Sequence, residues 1–396
     1  MSTTKKSYKS AFIFLTTLFF LWGFITVLVD SLVPRLKDVF EMSYAKTVLV
    51  QFAFFVAFFV FSLPAGFILS KIGYKKGIVL GLLTMALGCL LFYPAAEYRT
   101  FIVFLIGYFT LAGGITILQV AANPYVALLG TEEGASSRLN LSQAFNSLGT
   151  TIAPVIGALF LLSDSVKTSA EIELLSELDK TNYYVAEAAT VQTPFLWIAA
   201  SIAILAIIFA FINLPTVMEK VPKGGYGKLL KNKAMLLGAL GIFVYVGAAD
   251  SDPKSLLGIF VIFYWGGAMI GRFVGSYLTK IMAPGKVLAI FATLAILMIV
   301  ISIITVGLLS MWSILAVGLF NSIMFPTIFT LSLEGLGDLK AQASGLLCMA
   351  IVGGAVIPFI FGSLIDGFGF KTAFILAILC YGYILFFGRF KAKKIS

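Results

Sequence analysis

The chain has 396 residues, 60% of them hydrophobic and 12% charged, with a mean hydropathy of +1.04 and a formal net charge of +10. So little charge over such a length excludes an ordinary soluble domain. Apolar runs of about twenty residues, not alternating segments of about ten, exclude a transmembrane barrel and specify helical spans.

Residues 1–10 form a basic leader with Lys5, Lys6 and Lys9. Twelve apolar runs follow, near 11–33, 45–69, 77–94, 100–122, 139–162, 193–214, 234–249, 256–279, 285–308, 311–333, 343–365 and 370–388. Most can cross a core of roughly 30 Å at about 1.5 Å per residue. The first run continues past signal-peptide length without a small-residue cleavage site, so it reads as the first span. The seventh is short and ends at Asp250-Ser-Asp252-Pro253, where Asp252 and Pro253 read as the N-cap and first turn of the eighth. The acidic loop 163–192 reads as an outer loop, with a short surface helix over 170–187.

Loop charge orients the chain. With the N-terminus inside, inner segments carry 19 of the 28 Lys and Arg and outer segments carry 8, leaving Arg272 within a span. Both termini are therefore expected in the cytoplasm. The basic surplus is an orientation signal and implies no nucleic acid.

The central stretch 215–233, with two prolines, three glycines and five lysines, divides the chain. Residues 1–214 are expected as an N-terminal six-helix half, 215–233 as a cytoplasmic linker, and 234–396 as a C-terminal half with a short seventh span. A repeat supports that seam. Gly66 through Lys71 and Lys76 matches Gly275 through Lys280 and Lys286, and Pro124 to Pro154 spans 30 residues where Pro326 to Pro358 spans 32. Two parallel six-helix halves of this kind place a substrate near the bilayer midplane between them. The fold class is thus an all-α polytopic membrane protein with two pseudo-symmetric halves. Its loop motif resembles that of the major facilitator superfamily, with Ser70 and Thr279 where that motif carries an acid.

Few residues in the spans can do chemistry. Asp30 lies in the first span, four residues from Thr26 and on the same helix face. It is either an interfacial acid near Arg35 or Lys37, or a cavity carboxylate that takes a coupling ion. Gln119 and Asn123 stack two amides on the fourth span, with geometry suited to sugar hydroxyls or to interhelical bonding. Pro124 frees the carbonyl of Val120. Gln143, Asn146 and Thr150 share a face of the fifth span too polar for lipid. In the eighth, Tyr264 and Trp265 could pack on a pyranose. Gly267, Gly271 and Gly275 make a small-residue stripe for close packing. Arg272 either snorkels inward or pairs within an inner gate. Asn321 is open between site and packing. The single Cys89, Cys348 and Cys380 suggest neither disulfide nor metal site, and no histidine exists to relay protons.

Phe20-Leu-Trp-Gly with Asp30, the run Gln119-Val-Ala-Ala-Asn-Pro124, and Arg138-Leu-Asn-Leu-Ser-Gln-Ala-Phe-Asn-Ser-Leu-Gly149 resemble the fucose–proton symporter family, and within it the bacterial glucose/galactose transporter branch. The resemblance covers nearly the whole chain. It implies proton coupling and sugar binding by an acid in the first span, which falls on Asp30, and by a glutamate in the fourth. The latter position is Gln119, which cannot titrate, in agreement with the glucose/galactose branch. The family's seventh span and following loop are longer than 249–262 here.

The expected function is import of a hexose, glucose and/or galactose, by alternating access. The alternatives are an L-fucose–proton symporter and an uncoupled sugar facilitator. Asp30 would carry the coupling ion, H+ or Na+. Thr26, Gln119, Asn123, Gln143, Asn146, Tyr264, Trp265 and Asn321 would bind the monosaccharide, and Arg138 and Arg272 would form the inner gate. No cofactor, metal or enzyme activity is expected. The setting is the bilayer of a bacterial inner membrane, and the functional unit a monomer.

Overall fold

A computed structural model describes residues 2–40, 44–160, 171–172, 174–217, 225–251 and 261–393. The described residues are helical and contain no strand. The first six spans are Ser2–Val39, Tyr44–Ile72, Tyr74–Glu97, Phe101–Leu128, Ala135–Phe160 and Glu177–Phe211. A one-turn helix, Tyr226–Leu229, precedes the seventh span, Lys233–Ser251. Val261–Ile281 and Pro284–Ile304 follow as the eighth and ninth. The tenth is Gly307–Asn321 with Met324–Leu333, and the eleventh Lys340–Met349 with Gly353–Phe368. Phe370–Lys393 closes the chain as the twelfth. Nine of these are long and apolar enough to cross a membrane on composition alone. The fifth, rich in amides and hydroxyls, the short seventh and the eighth complete the set of twelve.

Two expected boundaries move. The surface helix foreseen over 170–187 is, from Glu177 onward, continuous with the sixth span, which runs 35 residues. Ser176 caps its start by accepting from the Asp179 amide, and no helix breaker interrupts it before Pro194. The seventh helix has 19 residues instead of 16, and the proposed cap at Asp252 and Pro253 lies outside the described residues.

Glycine sets how closely the spans cross. A Cβ at Gly149 would strike the backbone at Phe20 and Phe24, and one at Gly23 would strike Asn146. The first and fifth spans therefore touch backbone to backbone at Phe20-Leu-Trp-Gly and Asn-Ser-Leu-Gly. In the C-terminal half, Cβ atoms at Gly271 and Gly275 would meet Ser322 and Ile323, so the small-residue stripe of the eighth span packs on the tenth as expected. The two hydroxyl residues of the repeated loop motif behave alike. Ser70 donates to the Phe67 carbonyl (2.6 Å) and Thr279 to that of Gly275 (2.7 Å), each turning back into its own helix.

Across the seam, the second span packs on the eleventh and the fifth on the eighth. Bonds between the halves gather toward the lysine-rich end. Ser137 and Ser276 exchange reciprocal bonds, hydroxyl to backbone carbonyl, at 2.8 and 2.9 Å. Ser136 meets Thr330 at 2.6 Å, Asn140 donates to Thr327 at 3.1 Å, and Lys340 pairs with Glu132 at 3.1 Å. Tyr226, just ahead of the seventh span, reaches into the second–eleventh crossing and donates to the Leu63 carbonyl at 2.5 Å.

Candidate transport site and inner gate

Asp30 accepts a hydrogen bond from the Tyr108 hydroxyl of the fourth span. Tyr108 is itself held by rings, stacked with Phe104 and packed on Phe54. The acid is thus tied to another span of its own half. The side chains of Arg35 and Lys37 lie outside the described residues. Nothing in the sequence singled out Tyr108; a phenol in an apolar span with an acid one helix away is the one available cue. Thr26, a turn from Asp30, donates to the Trp22 carbonyl at 2.8 Å.

The amides fall into two groups. Gln143 donates to Asn123 Oδ1 at 3.4 Å, joining the fourth and fifth spans, and Asn123 Nδ2 is buried with no partner. An unmet buried donor costs about 1–3 kcal/mol, so this position favours a ligand hydroxyl or a water. Gln119 lies one turn before Asn123 and is half-buried. Asn146 is different. Its Nδ2 donates to the Phe19 carbonyl at 2.9 Å, which fixes it in the first–fifth crossing.

In the C-terminal half, Asn321 donates to Tyr264 (2.6 Å) and Tyr381 (3.3 Å), and all three side chains are buried. That network ties the eighth, tenth and twelfth spans together. Trp265 packs edge-on against Tyr264 at 5.6 Å yet is 48% exposed. Trp265 and Arg272 are seven residues apart, within about 20° of two full turns, so they project from one face of the eighth span.

Arg272 holds the centre of the seam. Its Nε donates to the Ser322 carbonyl at 3.2 Å and its Nη1 to the Gln143 carbonyl at 3.1 Å. It also bonds the Ser147 hydroxyl and the Tyr245 hydroxyl. One guanidinium therefore joins the fifth, seventh and tenth spans from the eighth. Arg138 does something else. It donates to the carbonyls of Val126 (3.3 Å) and Thr131 (2.7 Å) and to that of Ala127, capping the end of the fourth span within its own half. Of the two arginines expected in the inner gate, Arg272 bridges the two halves and Arg138 caps a helix end within its own half.

The paired prolines explain part of this. Pro124 deprives the Val120 carbonyl of its helical donor, and Pro326 does the same to Ser322. The Ser344 hydroxyl of the eleventh span donates to the Val120 carbonyl at 2.9 Å, and Arg272 takes that of Ser322. Both freed carbonyls are thus met by side chains from another span. Ser344 went unremarked in the sequence because a lone serine in a small-residue run carries no signal. Among the described residues no group of His, Cys, Asp and Glu could hold a metal ion.

The model of the Major Facilitator Superfamily matches residues 10–350. The chain belongs to that superfamily. It is 48% identical to the glucose/galactose transporter of Brucella abortus biovar 1 (strain 9-941), over 99% of this chain and 97% of that one. It is 44% identical to the putative glucose/galactose transporter of Helicobacter pylori (strain J99), over 94% of each. Solved structures of the E. coli fucose:proton symporter FucP superpose with TM-scores of 0.91 and 0.90 at 32% and 33% identity, covering 97% of this chain and 99% of each; the second is in the outward conformation. The chain is a multi-pass membrane protein with the twelve-helix major facilitator fold.

Proposed function

We propose that this protein imports a hexose, glucose and/or galactose, in symport with a proton. The full-length likeness to two glucose/galactose transporters carries the reading. The amide pair Asn123–Gln143, with its unmet donor, supplies a place for a sugar hydroxyl. Gln119 lies one turn from Asn123 on the same helix, Thr26 is assigned to the same sugar from the first span, and Trp265 offers an apolar face from the other half.

In the proposed cycle the resting protein faces outward, with the lysine-rich end closed. Asp30 takes a proton while hydrogen-bonded to Tyr108. Sugar binds between the halves. Neutralising the carboxylate lowers the cost of closing apolar surface over it. The halves then rock, and the bonds at the lysine-rich end open. Most of those bonds are neutral and contribute about 0.5–1.5 kcal/mol each, while an exposed pair such as Lys340–Glu132 adds about 0–1 kcal/mol. Their sum is the size of gap a few kcal/mol of differential binding can reverse.

Asn146, Tyr264 and Asn321 serve in this reading as positioning residues for the spans that bear the site. Residues 1–214 and 234–396 are the rocking units, joined by a cytoplasmic linker at 215–233. Both termini face the cytoplasm of a bacterial cell, in its inner membrane, and one chain suffices.

Uptake of labelled glucose, galactose and L-fucose into proteoliposomes, under separate proton and sodium gradients, tests this. Glucose or galactose should accumulate with the proton gradient. Sodium-driven accumulation would replace the ion, L-fucose accumulation would replace the sugar, and equilibration without accumulation would make the protein a facilitator. No gradient-driven accumulation of any of the three would overturn symport.

A further inference from the structure

The ninth and twelfth spans cross at their lysine-rich ends with no side chain between them. A Cβ at Gly285 would meet the Gly388 carbonyl and the Ala392 amide at 2.8 Å, and one at Gly388 would meet the backbone of Gly285 and Ala289 at 2.9 Å. A cleft lies beside this crossing. That cleft measures about 750 Å³, with Leu385, Phe386 and Phe390 as its apolar wall. A neighbouring hollow of about 420 Å³ shares Lys286, Leu385 and Arg389 with it and continues past Ile290.

The cleft lies on the outside of the bundle. On the ninth span Ile290 and Leu297 are exposed, as are Leu379 and Phe386 on the twelfth, each pair spaced seven residues apart on one helix face. Such faces meet lipid tails. The mouth is cationic. Lys286 and Arg389 are exposed, Lys393 lines the same cleft, and no carboxylate does. Two other cations at this end have acids: Lys391 pairs with Glu334 at 2.8 Å and Lys340 with Glu132. Lys286 and Arg389 form no ion pair among the described residues.

Apolar walls at tail depth beneath two unpaired cations at headgroup depth match one ligand class. We infer that the cleft between the ninth and twelfth spans binds a diacyl phospholipid with an anionic headgroup, from the leaflet at the lysine-rich end, its phosphate between Lys286 and Arg389 and an acyl chain along Phe386 and Leu385. A sugar is a poor fit, since no amide or carboxylate lines the wall. A zwitterionic lipid would place its own cation beside two others.

Native mass spectrometry of the full chain, released from detergent with equimolar phosphatidylglycerol and phosphatidylcholine, reads this directly. The expected result is a phosphatidylglycerol adduct that the double variant K286Q/R389Q reduces at least ten-fold, while K76Q/K231Q, lacking two other cations of the same end, keeps it. A second variant leaves the charges intact. A Cβ at Gly382, in the cleft wall, would meet nothing within 4 Å, so the side chain of G382F starts into open space and should also abolish the adduct. An equal loss in both charge variants, no loss in either, a loss in K76Q/K231Q alone, retention by G382F, or equal retention of phosphatidylcholine would each overturn the site.

Discussion

The Ser344 hydroxyl lies 2.9 Å from the Val120 carbonyl, the one that Pro124 leaves without a helical donor. Serine and carbonyl belong to opposite halves, so a proline in the fourth span creates an acceptor that only the closed seam fills. S344A should weaken closure by about 1 kcal/mol, roughly a five-fold shift toward the inward-facing state. Fluorescence distances between labels on the two halves would report it. P124A restores an N–H within the fourth span and should suppress most of the S344A effect. Additive effects would show that the two residues do not share this carbonyl.

In the proposed cycle, substitutions at Asp30 and Tyr108 should separate coupling from binding. D30N should abolish proton-driven accumulation while leaving sugar exchange down its own gradient within about three-fold of wild type. Y108F removes the hydrogen bond but keeps the acid, and should lower accumulation several-fold without abolishing it. Paired uptake and exchange assays in proteoliposomes distinguish the two, and full accumulation by D30N would remove Asp30 from the mechanism.

Arg272 forks between the Gln143 and Ser322 carbonyls, and lysine cannot reproduce a planar fork. R272K should therefore lose more than ten-fold in uptake while still binding sugar, measured by calorimetry in detergent. R138K, at the end of the fourth span, should instead lower thermal stability with a smaller effect on uptake.

At the second–eleventh crossing, a Cβ at Gly345 would lie 2.6 Å from the Ser62 carbonyl and 3.1 Å from the Tyr226 hydroxyl. Backbone cannot yield as a side-chain tip can, so G345A should force these spans apart and slow uptake about ten-fold or more. Y226F removes the hydroxyl that donates to the Leu63 carbonyl and bonds the Phe67 backbone, and should cost about 1 kcal/mol or more of closure.

Hydropathy made the twelve spans legible, because a bilayer demands long apolar runs whatever their neighbours. It missed the extension of the sixth helix back to Glu177, since a helix outside the lipid needs no apolar run and the polar stretch held no breaker. Asp30 and the paired prolines could be singled out because each breaks a local rule: a charge in an apolar span, a missing donor in a helix. What meets them could not be read so. Arg138 and Arg272 look alike as basic residues near spans, and only the folded chain turns one into a helix cap and the other into a bridge. Asn146 and Gln143 share a helix face, yet one faces a neighbouring backbone and the other an amide.

The chain has two kinds of contact between spans, and their difference sets what can move. Where Gly23 and Gly149 bring the first and fifth helices together, main chain rests on main chain and no water can enter without separating whole helices. Where Ser137 faces Ser276, each hydroxyl can trade its partner for water one bond at a time. Sliding friction is thus high inside the N-terminal bundle, while the boundary holds both kinds of contact, hydroxyls at Ser137 and Ser276 and a backbone approach at Gly345 and Ser62, so a tilt of the halves in the proposed cycle would be freest where the hydroxyls lie. The same residues by which the chain resembles its relatives make that bundle stiff enough to act as a lever.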